Sequence, residues 1–103
     1  MSELLKNCIG FQWDNGNLTK NWISHKVNNI ECEEPFFNNP FIVAGDLTHS
    51  LHEPRFYALG TTNKDRKLFL AFTVRESLIR IISARDMNKK EKAIYEKEQK
   101  ENT

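Results

Sequence analysis

Five arginines, Arg55, Arg66, Arg75, Arg80 and Arg85, all fall in the second half of the chain, inside or beside segments that read as β-strands. Arginine stays charged at any physiological pH, and its planar fork grips two oxygens of a phosphate or carboxylate at once. Groups able to move protons stand nearby in sequence: Glu53 and His49 in a polar stretch, and His25 further back. Metal-free cleavage of RNA needs such a set, with a base for the 2′-hydroxyl proton, cations for the charge growing on the phosphate, and an acid for the leaving oxygen. Arg55, Arg75, Arg80 and Arg85 are the candidate cations, and Glu53, His49 and His25, in that order, the candidate base or acid. Tyr57 can stack on an unpaired base, while Thr73 and Lys26 are candidates for further RNA contacts. The competing reading makes these arginines ordinary strand and turn residues, neutralised by Asp65, Glu76 and Asp86.

Strands must present these side chains, so their pairing decides what can meet. Residues 55–60, 67–74 and 78–84 are rich in β-branched and aromatic residues and are separated by polar turns. With Glu76-Ser77 as a two-residue hairpin loop, Arg75 faces Leu78, Thr73 faces Arg80 and Ala71 faces Ile82. One face then carries Leu68, Leu70, Phe72, Val74, Ile79 and Ile81 as core. The other carries Thr73, Arg75 and Arg80 among Phe69, Ala71 and Ile82, with Arg55 and Tyr57 from the preceding strand. Parity assigns Arg85 to the core side, so it joins the others only if the strand has ended. Residues 41–44 read as a further strand after the Asn38-Asn39-Pro40 turn, and Phe11-Gln12-Trp13 as a short one.

Helices must cover the core face. Asp14 is placed to cap a helix reaching about His25, with Leu18, Trp22 and His25 on one side. His25 at its end either packs and caps the helix or serves as a cationic group near phosphate. Asn28 and Glu31 have the spacing of a capping box for a second helix, which Pro35 restricts to a short turn before a kink or stop. A third helix follows Met87, capped by Asp86 or by Asn88 with Glu91 three residues on. It is mostly charged and reads as a lightly docked surface helix with a frayed tail over residues 99–103. The expected architecture is α+β: two N-terminal helices and one C-terminal helix on a four- to five-stranded antiparallel sheet. At 103 residues it is read as one domain, 1–103, with residues 1–10 a loosely ordered lead-in.

Net charge of +1 hides an asymmetry: residues 1–54 carry three lysines against seven acids, and residues 55–103 carry twelve bases against seven acids. The basic half is the half with the strands. Two cysteines, Cys8 and Cys32, lack the spacing of a disulfide framework or a zinc site. His49 and His52 have HxxH spacing but one acidic neighbour, too little for a metal site, and no metal or other cofactor is expected. No signal peptide or membrane span is read from the sequence, so the expected location is cytoplasmic.

Four motifs in order, "FQWDNGNLTKNWISHK", "CEEPFFNNP", "HSLHEPRFYALG" and "IRIISARDMNKKEKAIYE", resemble the BrnT family of toxin–antitoxin systems across Phe11 to Glu96. The match holds at Trp13, Asp14, Asn21, His25, His49, Ser50, Glu53, Arg55, Arg75, Arg80, Arg85 and Tyr95. It departs where the family usually has Lys-His-Gly and this chain has Ser24-His25-Lys26, and at Pro35, where an apolar helix former is usual. The resemblance implies a RelE-like fold and an RNA-cleaving toxin that inhibits translation. It also implies a cognate antitoxin of ribbon-helix-helix type, through which alone the pair contacts operator DNA. The rival expectation is a catalytically inactive binding module that docks an antitoxin-like protein or RNA.

Overall fold

The computed structural model describes residues 5–46 and 53–101, leaving aside the side chains of residues 18, 21 and 23. In chain order the elements are β1 (Gly10–Phe11), α1 (Asn15–Leu18), α2 (Lys20–His25), α3 (Asn29–Glu33), a 3-10 turn (Glu34–Phe37), β2 (Ile42–Gly45), β3 (Arg55–Thr61), β4 (Lys67–Arg75), β5 (Leu78–Asp86) and α4 (Lys89–Glu101). The class is α+β as expected. The sheet differs from the expected all-antiparallel layout: its order is β1-β5-β4-β3-β2, and β1 lies parallel to β5, which makes it mixed. Alternation in Phe11-Gln12-Trp13 marks a strand but carries no information on its partner or direction. Past β1, the rim of β5 is satisfied by side chains, with Asn17 Nδ2 donating to the Ile81 carbonyl at 3.2 Å and Lys20 Nζ to that of Ile82 at 3.4 Å.

The β4–β5 hairpin turns at Glu76 and Ser77, both with positive φ (49° and 67°), the backbone of a type I′ turn. Its register begins as expected, with Arg75 opposite Leu78 and Thr73 opposite Arg80. Phe72 then faces Ile81, but Ala71 faces Ser83 and not Ile82, because a bulge leaves Ile82 as an extra residue. Every side chain after it changes face. Ala84 is thereby buried in the core, and Arg85 lands opposite Phe69 on the other side.

On the inner face Ala58, Leu68, Leu70, Phe72, Ile79, Ile81 and Ala84 pack against Leu5, Val27, Cys32 and Phe36. Leu5 is buried, so packing starts within the segment read as a loose lead-in. Phe36 is central: its ring lies 5.2 Å from Phe11, 4.8 Å from Phe41 and 5.2 Å from Phe72. Pro35 opens the 3-10 turn, where a missing N–H costs little, and α3 stops at Glu33 as its position predicts. A Cβ at Gly60 would come within 2.7 Å of Pro35 Cβ, so the close approach of this turn to β3 requires glycine there.

Capping follows the sequence. Asn28 and Glu31 exchange bonds at 2.8 and 3.1 Å, and Asn88 and Glu91 at 2.8 and 2.9 Å. The first helix is broken at Thr19 into two short pieces, and Trp22, expected on its apolar side, is 49% exposed. Helix α4 runs to Glu101, through residues expected to fray. Its docking is also firmer than its composition suggests, because Tyr95 is 0% exposed, with its hydroxyl 2.7 Å from the Pro40 carbonyl and 3.1 Å from Thr61 Oγ1.

Candidate active site

Register aligns Arg55, Thr73 and Arg80 in one row across β3, β4 and β5, on the face away from the core. Neighbouring strands lie about 4.8 Å apart, so the two arginines flank Thr73 at roughly 10 Å between backbones. Arg75 follows Thr73 on the same face by alternation. Arg80 is forked onto Asp14, the cap of α1, with Nη1 to Oδ2 at 2.8 Å and Nη2 to Oδ1 at 3.1 Å. Arg75 is forked onto Glu53, with Nε to Oε2 at 2.8 Å and Nη2 to Oε1 at 3.0 Å.

These groups act on one another. The Arg75 guanidinium holds the Glu53 carboxyl below its ordinary range, and Arg55 and Arg80 add to the shift. Arg80 likewise lowers Asp14, helped by the N–H groups of Gly16 and Asn17 at the start of α1. Three guanidinium groups and two carboxylates thus form one charged cluster. Beside it, Tyr57 is bonded to Asp46, which raises the phenol above its usual range. Asp46 is buried, and its N–H donates to the Arg55 carbonyl at 2.8 Å.

Of the expected residues, Glu53, Arg55, Arg75 and Arg80 come together. Thr73 sits in the middle of the row, but it is fully buried and its hydroxyl donates to the Pro54 carbonyl, so it spaces the arginines. Arg85 shares the face, owing to the bulge, yet lies opposite Phe69, four residues along β4 from Thr73. At about 3.3 Å per residue that is roughly 13 Å from the row. His25 and Lys26 are placed elsewhere: their carbonyls accept from Arg66 at 3.2 and 2.8 Å at the far end of β5, and Lys26 Nζ lies 5.5 Å from the centre of the Trp22 ring. His49, with Ser50 and His52, lies outside the described residues. Sequence reading did not find Asp14, Asp46 or Glu91 as partners. Asp14 was legible as a cap, whereas its pairing with Arg80 joins residues 66 positions apart.

Arg75, Arg80 and Arg85 pair with Glu53, Asp14 and Glu91, none of them an acid of the neutral reading, and Arg66 keeps one that was. Asp86 pairs with Arg66 at 2.7 Å, and Glu31 joins them at 3.1 Å, so Arg66 ties the ends of α2, α3 and β5 together. Arg66 lowers the Asp86 carboxyl, and Arg85 lowers that of Glu91. A carboxyl whose folded pKa is depressed stabilises the fold at pH above its unfolded value, and that contribution is lost as pH falls through the folded value. Stability is therefore expected to hold at neutral pH and to decline below about pH 4. Urea titrations across pH 2–7 check this, with Arg66→Met flattening the acid limb. Burial raises both thiols, that of Cys32 to about 12, so neither is a ready nucleophile at neutral pH.

The molecule is an α+β protein with arginine–carboxylate pairs set on the outer face of a mixed sheet. A family model described as the ribonuclease toxin BrnT of type II toxin–antitoxin systems matches residues 13–91, and the chain belongs to that family. The matched stretch starts just before Asp14, ends at Glu91 and contains the whole arginine cluster. No curated protein sequence matches the chain. Among the described residues no helix is long and apolar enough to cross a membrane. Membership of a type II family brings with it an antitoxin as partner.

Proposed function

We propose that the chain is a single RelE-like toxin domain, a metal-independent endoribonuclease that acts in the cytoplasm and slows translation. A BrnA-like antitoxin of ribbon-helix-helix type would neutralise it by covering the arginine face or α4, and would supply the contact with operator DNA. The observation that carries this reading is the row of Arg55, Thr73 and Arg80 with Arg75 forked onto Glu53 on the same face, which gathers a carboxylate and three phosphate-matching cations. In the reaction the 2′-oxygen attacks the adjacent phosphorus and the bond to the 5′-oxygen breaks. Arg55, Arg75 and Arg80 hold the phosphate and the charge that grows on it. Paired with Arg75, Glu53 is ionised but a weak base. When phosphate takes the Arg75 fork, Glu53 loses its partner, its pKa rises, and it becomes better suited to accept the 2′-hydroxyl proton. His49, four residues earlier in the chain, is the candidate donor to the leaving oxygen.

Purified chain incubated with single-stranded RNA in excess chelator is expected to cleave it at an undiminished rate and to leave 2′,3′-cyclic ends. Loss of cleavage on chelation, restored by a divalent cation, counts against arginine-based chemistry. A second reading, the inactive binding module, is favoured by Arg75 and Arg80 each being forked onto a carboxylate of the same chain, and by Ser24 where the family usually has lysine. It predicts intact RNA and normal growth when the folded chain is expressed without its antitoxin.

A further inference from the structure

We infer that Arg85 and the apolar cleft beside it form a nucleotide subsite. The cleft takes a base of single-stranded RNA neighbouring the cleaved linkage, and Arg85 takes that nucleotide's phosphate. This rests on the ribonuclease reading and adds to it a place for substrate beyond the reacting phosphate. The cleft, about 260 Å³ and with almost no exposed polar surface, lies between the outer sheet face and α4, and its lining includes Ile42, Tyr57, Leu59, Phe69, Ile94 and Glu91. Tyr57 and Phe69 form its aromatic floor, with ring centres 5.3 Å apart, and Ile94 on α4 is 50% exposed. The two rings are tilted 41° to each other, and an apolar slot with an aromatic side chain in its floor suits a nucleobase bound by stacking without reading its edge.

The Arg85 guanidinium stacks over the Phe69 ring, 4.2 Å from its centre, so it covers the Phe69 half of the floor and a base would stack on Tyr57 beside it. Its fork holds Glu91, with Nη1 to Oε1 at 2.8 Å and Nη2 to Oε2 at 2.9 Å, in the two-point geometry a phosphate would adopt. Glu91 does not depend on Arg85 for its place, since Oε1 also accepts the Asn88 N–H in the capping box of α4. Because the oxygen that caps the helix also holds Nη1, an anion takes the Arg85 fork by turning the guanidinium away from Glu91, which leaves the helix start capped. Register sets Arg85 in line with Phe69 and Leu59, parallel to the row of Arg80, Thr73 and Arg55. The gap of roughly 13 Å between the rows exceeds one phosphate-to-phosphate step. A phosphate at Arg85 thus belongs to a different nucleotide from the one being cleaved, and Tyr57, opposite Ala71 midway between the rows, lies between the two.

Binding of 2′-O-methyl oligonucleotides, which cannot be cleaved, tests this with two- and four-nucleotide probes of mixed sequence. Wild type is expected to bind the longer probe at least about tenfold more tightly. Arg85→Ala and Ile94→Ala should remove most of that gain, and Arg85→Lys part of it. Glu91→Gln should increase it severalfold, because the competing charge is gone and glutamine still fits the capping box. Should Arg85→Ala fail to fold, Glu91→Gln decides alone: a larger gain supports the subsite and an unchanged gain overturns it. A length gain that persists in the Arg85 and Ile94 variants overturns the subsite and leaves the ribonuclease reading standing. If those variants keep the gain but lose antitoxin binding, the cleft is a protein-docking surface. Wild type that neither binds any probe nor cleaves RNA removes the ribonuclease reading, and the subsite falls with it.

Discussion

Arg80→Ala is expected to lower RNA cleavage by about 10²–10³-fold, the size of effect seen when one preorganised group that stabilises transition-state charge is removed. Arg80 is held more closely than Arg75, whose side chain is 46% exposed. The Arg80 side chain is 16% exposed, and Asp14 fixes both of its terminal nitrogens. A guanidinium already oriented loses little freedom when it engages the phosphate. Expressed without antitoxin, wild type should arrest growth and degrade RNA, while Arg80→Ala should do neither. Asp14 is a largely exposed partner, so the variant should fold, and far-UV circular dichroism verifies it. Arg80→Lys separates charge from geometry: a point charge without the fork should recover only part of the activity. Full toxicity from folded Arg80→Ala would move the chemistry off this row.

The largest expected effect on stability is at Tyr95. Tyr95→Ala should cost about 3–5 kcal/mol, as for other large buried aromatics, since it empties the one fully buried position of α4 and removes the hydroxyl that joins Pro40 to Thr61. Tyr95→Phe keeps the packing but removes the partner of the buried Thr61 hydroxyl and of the half-buried Pro40 carbonyl, at about 1–3 kcal/mol. Urea denaturation gives both values. Because α4 carries Glu91 and Ile94 as well, Tyr95→Ala should also loosen the wall of the apolar cleft. A cost near zero would mean that α4 docks without its buried ring.

Local features were the ones legible in the sequence. Capping boxes at Asn28/Glu31 and Asn88/Glu91, the two-residue turn at Glu76-Ser77 and the stop imposed by Pro35 each depend on residues a few positions apart, and each is present. Alternation in β3 and β4 also put Arg55 and Tyr57 on the face of Thr73 and Arg75. What stayed hidden joins distant parts of the chain. The parallel approach of β1 to β5, the Asp14–Arg80 pair and the burial of Tyr95 against Thr61 and Pro40 all depend on how layers assemble, which periodicity does not encode. His25 shows the same limit from the other side. A suitable side chain at a helix end was a sound candidate, yet the helix delivers it beside Arg66 and Asp86, at the opposite end of β5 from Arg75.

The single extra residue at Ile82 acts on β5 as a frameshift acts on a message. Upstream of it the strand is written in one phase, with Ile79 and Ile81 inward and Arg80 outward; downstream it is written in the other, with Ala84 inward and Arg85 outward. Deleting Ile82 would leave the composition almost unchanged and yet exchange the addresses of Ala84 and Arg85, sending a guanidinium into the core and a methyl group to the aromatic floor. Point substitutions in this stretch can drift one at a time. Its length cannot, because the fold and the outer face read the same count.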